Sequence, residues 1–262
     1  MEGDQNRTSQ DEGLLAGSYI SFVNLDHRKD RLDRMLETLA KRNIPAVRTR
    51  GQYPSEYKGD PKKVEVMRKR TPGAIGCHFS QVSIMEEALR RWKHAWVMED
   101  DLKICPDIHV RLAHMEQFIK THPWDILWLG GTFHVHPPWW HKGPPLRRDA
   151  ECTDDPRMVR TYGAFCTYAY IVNRESLALV LESLDKIVEQ SIGIDWAMIQ
   201  MQPNLHTYAY VPGCMTQYDN MSDIGKGMTR FSGFKKLGPY WFANHLEEFD
   251  PTKFDWHEAR RR

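Results

Sequence analysis

Three consecutive carboxylates, Glu99-Asp100-Asp101, follow directly on the apolar run His94 to Met98. At neutral pH such neighbours repel one another, and a divalent cation would neutralise them. Carboxylate oxygens are hard donors that suit Mg²⁺ or Mn²⁺. An acidic turn capping the next helix is the alternative reading. A second stretch, Asn24-Leu25-Asp26-His27-Arg28, closes another apolar run and leads into a helix. Backbone N–H groups there, helped by Arg28 and Arg31, could hold a nucleotide phosphate, whereas Arg34 reads as an ordinary exposed position. The turn Thr71-Pro72-Gly73-Ala74-Ile75-Gly76 enters a helix and could approach a ligand closely. Residues 133–141 carry three histidines among prolines and tryptophans. Zinc would want rigid, well-supported ligands there, so an acceptor platform of tryptophans or plain loop packing suits that composition better.

These groups need elements to position them. Tyr19 to Val23 is strand-like, and Lys29 to Arg42 spaces Leu32, Met35, Leu36 and Leu39 as one buried helical stripe. Asn43 and Pro45 stop that helix, and Ile44 to Val47 reads as a second short strand. Phe79 to Trp92 carries Phe79, Val82, Met85, Ala88, Leu89 and Trp92 on one helical face, before the strand His94 to Met98. Further on come a helix over about 107–120, a strand over 125–129, an irregular stretch over 133–160, a strand over 165–172 and a helix over 174–189. A short helix near 194–201 and a strand near 207–211 complete the regular part. Such alternation predicts one α/β domain, a mixed sheet flanked by helices, with ligands bound outside the carboxyl ends of its strands. Residues 1–17 read as a flexible arm, 18–225 as the domain, and 226–262 as a C-terminal extension packed on it or covering the site.

Composition excludes several classes. The 262 residues are 41% apolar and 27% charged, and 36 Lys and Arg nearly balance 35 Asp and Glu. Intrinsic disorder, a coiled coil and a nucleic-acid-binding field are therefore not expected. Locally, residues 27–70 hold a net charge of +8, leaving −7 elsewhere. That asymmetry suits a phosphorylated ligand beside a metal, although charge runs are usually solvated surface. Five widely spaced cysteines without a Cys-x-x-Cys pair read as reduced thiols in a cytoplasmic protein. A chain cut from a longer secretory-pathway protein would read the same. No apolar run is long enough to span a bilayer.

In order and spacing, these motifs resemble glycosyltransferase family 25, the lipopolysaccharide-type and procollagen-galactosyltransferase-like enzymes. The matching residues are Asn24-Leu25-Asp26 with Arg28 and Asp30-Arg31, Gly73 to Ser80, Glu86 to Leu89, Glu99 to Leu102 and Asp125 to Gly130. They continue through Tyr168 to Val172, Ile194-Asp195-Trp196, Gln217 and Ser222-Asp223-Ile224, so roughly residues 18–225 are covered. Two departures stand out. Phe165-Cys166-Thr167 replaces the family's glycine-threonine step, and the Gly51 loop lacks the usual acidic neighbour.

The resemblance implies a GT-A-type, Rossmann-like fold, a UDP-sugar donor such as UDP-galactose, a glycan acceptor and inverting transfer, commonly with Mn²⁺ (Mg²⁺ being possible). It assigns the donor to Asn24, Leu25, Arg28, Gly73, Glu99, Asp100 and Gln217, and the metal to Asp101 with Glu99. Strand-end acids contribute little to a core, so loss of the Asp101 carboxylate is expected to leave the fold intact. Inversion needs a base beside the acceptor hydroxyl. Asp195 fits that role, since an unpartnered carboxylate in its apolar surroundings would be costly; a helix-capping acid is the alternative. Asp223 is a second catalytic candidate, as base or on the metal side. The rival functions are a non-catalytic glycan-binding module on the same scaffold and a sugar-nucleotide nucleotidyltransferase. The latter needs an N-terminal glycine-rich loop, and residues 18–30 contain no glycine.

Overall fold

The computed structural model describes residues 13–53, 55, 56, 65, 72–132, 150–188, 193–224, 228 and 229. Its apolar runs become strands β1 (Ser18–Asn24), β3 (His94–Glu99), β5 (Ile126–Thr132) and β8 (Phe165–Val172), each buried along most of its length. Continuous burial of this kind belongs to strands covered on both faces. With β2 (Val47–Arg50), β6 (Ala150–Cys152), β7 (Met158–Thr161) and β9 (Thr207–Tyr210) they form one eight-stranded sheet, ordered β2-β1-β3-β8-β5-β9-β7-β6. The sheet is mixed. β1 runs parallel to β2 and β3, and β5 parallel to β9, while β8 lies antiparallel between β3 and β5.

Helices cover both faces. Alternate side chains of β3 separate two cores, with Trp96 and Met98 on one side and Ala95 and Val97 on the other. On the first side lie α2 (Lys29–Lys41) and α4 (Ile108–Ile119), burying Met35, Leu39, Leu112 and Met115. On the second lie α3 (Pro72–Arg90), α5 (Leu177–Val188) and α6 (Ile194–Met201), burying Ile84, Met85, Val180, Leu184, Ala197 and Met198. A layered α/β domain with a mixed sheet is what the alternating pattern predicts. Among the described residues no helix is long and apolar enough to cross a membrane.

Several local expectations are corrected. Residues 14–17 do not belong to a loose arm: they form the helical turn α1 (Leu14–Gly17), with Leu14 in the core and its N–H bonded to Glu116 Oε1 at 2.6 Å. Leu36 is not part of the buried stripe. Helix α2 instead turns Arg31, Met35 and Leu39 inward, at i, i+4 and i+8, and leaves Leu36 47% exposed. Trp92 likewise leaves the helical face, because α3 ends at Arg90 and Trp92 adopts a left-handed φ of 51°. The second strand starts at Val47 rather than Ile44, which is buried beneath the chain leaving α2. The irregular stretch contains the antiparallel β6–β7 pair. Residues 1–12, the His/Pro/Trp loop 133–141 and most of 226–262 lie outside the described residues.

One small pairing positions the site. β4 (Leu102–Ile104) follows the three acids and pairs antiparallel with β10 (Met215–Gln217), setting Gln217 opposite Leu102. The chain then passes Tyr218 and Asp219 to the short pair β11 (Asn220–Met221) and β12 (Met228–Thr229).

Two buried histidines give the fold a pH dependence. Burial lowers His78 and His94 from 6.5 to about 4. The unfolded chain takes up these protons first, so their contribution is complete above about pH 6.5 and is lost as pH falls toward 4. Removing the ring in His78→Leu should flatten the acid loss of stability by on the order of 3 kcal/mol, because the group with the lowered pKa is gone, and the buried Nδ1 leaves no hydrogen bond unmade. Thermal melts of both proteins from neutral pH down to about pH 4 check this; parallel pH curves would contradict it.

Candidate active site

The site begins where β3 ends. Burial, and then the Asp101, Asp195 and Asp100 carboxylates, push the Glu99 carboxyl well above its usual range. Asp100 is also raised by burial, against the opposing pull of Arg31 and Asn24. These acids remain together because α2 sends Arg31 inward. Its Nη1 lies 2.9 Å from Asp100 Oδ1 and 3.2 Å from Asp101 Oδ2, and the side chains of all three are at most 9% exposed. Asn24, at the end of β1, donates to Asp100 Oδ2 at 2.6 Å and accepts from Arg48 Nε at 2.9 Å. Gln217, brought by the β4–β10 pair, places one nitrogen 2.8 Å from Glu99 Oε2 and 3.0 Å from Asp101 Oδ1. The acids are therefore not a solvated strand end. Deleting Asp101 would remove one of the two buried carboxylates that hold Arg31, which corrects the expectation of a structurally neutral change.

Across the cavity stands Asp195, in the first turn of α6. Its Oδ1 accepts the N–H and the hydroxyl of Thr167, each at 2.8 Å, yet burial still raises the carboxyl above its usual range. Gln81 links the two walls. It is fully buried, accepts from the Tyr170 hydroxyl at 2.8 Å, and turns Nε2 toward Thr167 O at 3.1 Å and Glu99 Oε1 at 3.4 Å. The sequence reading missed Gln81, Thr167 and Tyr170. The available signal was an amide at a position of α3 that packs inward among Cys77, Val82, Met85 and Ala88. Cys166, beside Thr167, adopts a left-handed φ of 70°. Glycine takes that conformation without strain and cysteine does not, so the departure from glycine noted in the sequence falls on a strained point of the cavity wall.

The rim is cationic. Arg28 Nη1 meets Asp223 Oδ2 at 2.5 Å, while His27 Nε2 lies 3.4 Å from Asp223 Oδ1. Gly73 permits close approach here. A Cβ on it would fall 2.7 Å from Ile224 Cα and 2.8 Å from Asp223 O.

Together these residues enclose a cavity of about 540 Å³. Asn24, Leu25, Gly73, Glu99, Asp100, Asp101, Asp195, Gln217 and Asp223 all line it. Arg28 does not line it; its guanidinium meets the lining residue Asp223. Asp223 was expected in a catalytic role and stands in this ion-paired cluster at the rim. Among the described residues no group of three or more His, Cys, Asp or Glu is arranged to hold a metal ion. Even so, Glu99 and Asp101 both approach one Gln217 nitrogen, and their carboxylate oxygens are a donor set suited to Mg²⁺ or Mn²⁺.

Arg31 is the buried cation that compensates Asp100 and Asp101. Arg31→Ala should cost about 3–5 kcal/mol of stability, with Arg31→Lys, which keeps the charge but not the fork, losing less. Denaturant unfolding of the two variants measures this, and an Arg31→Ala protein as stable as the wild type would contradict it.

No family model matches the chain. Curated relatives do. A Bos taurus protein named probable inactive glycosyltransferase 25 family member 3 is 25% identical, over 63% of this chain and 28% of its own length. Procollagen galactosyltransferase 2 from Mus musculus is 30% identical, and that from Homo sapiens 29%, each over 42% of this chain and 20% of its own length. The chain thus spans between a fifth and less than a third of the length of these relatives. At modest identity, and in agreement with the order of its motifs, it is similar to proteins of the glycosyltransferase 25 family.

Proposed function

We propose that the chain is a glycosyltransferase that moves a sugar, with inversion, from a UDP-sugar such as UDP-galactose to a hydroxyl of a glycan acceptor. The observation that carries the reading is the pairing of two unlike walls in one cavity: a buried, raised Asp195 on one side, and the Glu99/Asp101/Gln217 cluster with the Arg31 cation on the other. The names of the relatives supply the reaction class and the galactosyl preference.

In this reading Asp195 takes the proton of the acceptor hydroxyl. The acceptor oxygen then attacks the anomeric carbon, and the bond to the diphosphate oxygen breaks with its electron pair leaving on that oxygen. The sugar passes through an oxocarbenium-like state, as in glycoside hydrolysis. Thr167 holds the Asp195 carboxylate through Oδ1. Arg31 and His27 sit where negative charge develops on the leaving diphosphate, and preorganised donors of this kind stabilise a transition state without reorganisation. A divalent cation, Mn²⁺ or Mg²⁺, would be held by Asp101 and Glu99, and when bound supplies further positive charge against the diphosphate.

A second reading, a glycan-binding module without transfer, is favoured by the word "inactive" in the bovine relative's name. A UDP-release assay with UDP-galactose separates the two. Asp195→Asn should lower turnover by roughly 10²- to 10⁴-fold. It should leave the melting temperature unchanged or higher, because an amide oxygen can accept both Thr167 bonds without a buried charge. Turnover of the wild type should fall as pH drops through the Asp195 pKa, with the acid limb above the ordinary carboxylate value of 3.8. An Asp195→Asn protein with wild-type turnover would contradict the assignment of the base, and a wild type that turns over no UDP-sugar would favour the binding module.

A further inference from the structure

Among the described carboxylates that line the cavity, only Asp223 meets Arg28, and it also lies near His27 and Arg31. Arg28 Nη1 lies 2.5 Å from its Oδ2 and Arg31 Nη2 lies 3.8 Å from the same oxygen, while His27 Nε2 lies 3.4 Å from Oδ1. The two arginines are otherwise committed. Arg28 sends Nε and Nη2 to Asp30, at 3.1 and 3.0 Å, and Arg31 sends Nη1 to Asp100 and Asp101. Only one end of each guanidinium is turned toward residue 223. Asp223 itself lines the cavity and Arg28 stands behind it, so the carboxylate screens that cation from the cavity.

We infer that Asp223 is the internal counter-anion of the diphosphate site: it holds the Arg28 and Arg31 guanidiniums while the site is empty, and the donor's diphosphate takes its place. This rests on the nucleotide-sugar reading above. A diphosphate carries more charge than one carboxylate and offers several acceptor oxygens to the guanidinium forks, which bind phosphate through paired N–H groups. The exchange is local. The chain leading to Asp223 is anchored without it, through the Tyr218 N–H to Asp101 O at 2.8 Å, through Arg31 Nη2 to Met221 O at 2.7 Å, and through the Tyr218 ring between Arg34 and Lys103, each 4.8 Å from its centroid. Residues 222–224 can therefore shift while Gln217 keeps its place beside Glu99 and Asp101. A competitor built into the empty site lowers the apparent affinity for the ligand, and removing it recovers that affinity.

Isothermal titration with UDP, and separately with uridine, in the presence of Mn²⁺ tests this on the wild-type chain and on Asp223→Asn. Asp223→Ser serves as a second variant should the amide perturb the fold. Loss of the counter-anion should tighten UDP by roughly two- to fivefold, the size of one partly exposed ion pair. Uridine, which has no phosphate, should bind variant and wild type equally. If UDP binds Asp223→Asn with equal or weaker affinity while the wild type binds UDP, the inference fails and the nucleotide-sugar reading stands, with Asp223 then acting on the donor or metal directly. A uridine affinity that moves in step with UDP also overturns it, since the change would come from a loosened chain. If neither nucleotide binds either protein, the nucleotide-sugar reading fails and takes the inference with it.

Discussion

Burying several carboxylates at the end of one strand is costly unless they take up protons or something positive is buried with them. Here that is Arg31, whose Nη1 bridges Asp100 and Asp101 and whose Nη2 reaches the carbonyl of Met221. The helix that carries it is rotated to suit. α2 spends an inward-facing position on a guanidinium and leaves Leu36 in solvent, a choice that packing alone would not favour. The segment beyond β10 is drawn over the cavity by the same side chain. One cation therefore links α2, the end of β3 and the segment after β10, and fixes which carboxylates remain without a strong partner. Burial of Glu99 and Asp195, opposed by few donors, follows from that arrangement.

Most of the sheet was legible because its strands are continuous apolar runs. Phe165 to Val172 and Ile194 to Met201 were read with the bounds the structure gives them. Misreadings came where position rather than composition decides. The stripe Leu32, Met35, Leu36 and Leu39 is amphipathic in more than one rotation, and the electrostatics of Arg31 selects among them. The edge strand β2 is largely exposed and carries charged side chains, so its start was not visible in hydrophobicity. Among the site residues, the acids and Asn24 announced themselves by type and place. Gln81, Thr167 and Tyr170 did not, because a buried polar group is recognisable only through its partners, and those lie 86 to 89 residues apart in the chain for Gln81.

The network around Gln81 gives the cavity a rigid floor. A glutamine can satisfy Tyr170 with its oxygen and Thr167 and Glu99 with its nitrogen, so orientation is set from the β8 side and delivered to the β3 side. Thr167 in turn fixes Asp195, and Cys166 next to it holds a backbone conformation that glycine would adopt at no cost. Strain of this kind persists where surrounding structure imposes it. It lies on the cavity wall, beside the threonine that holds Asp195.

The most direct test of the central claim, a nucleotide-sugar site built on buried acids, is a thermal-shift panel of UDP, UDP-galactose and other nucleotide sugars, each with Mn²⁺ and with EDTA. A ligand that binds only the folded chain raises its melting temperature by mass action, by about 2.7 kcal/mol of added stability at a hundredfold excess over Kd. UDP compounds should stabilise the protein with Mn²⁺ and do so less with EDTA. A melting temperature that no nucleotide moves, with metal or without, would contradict the account and leave Glu99, Asp100 and Asp101 as a structural turn held by Arg31.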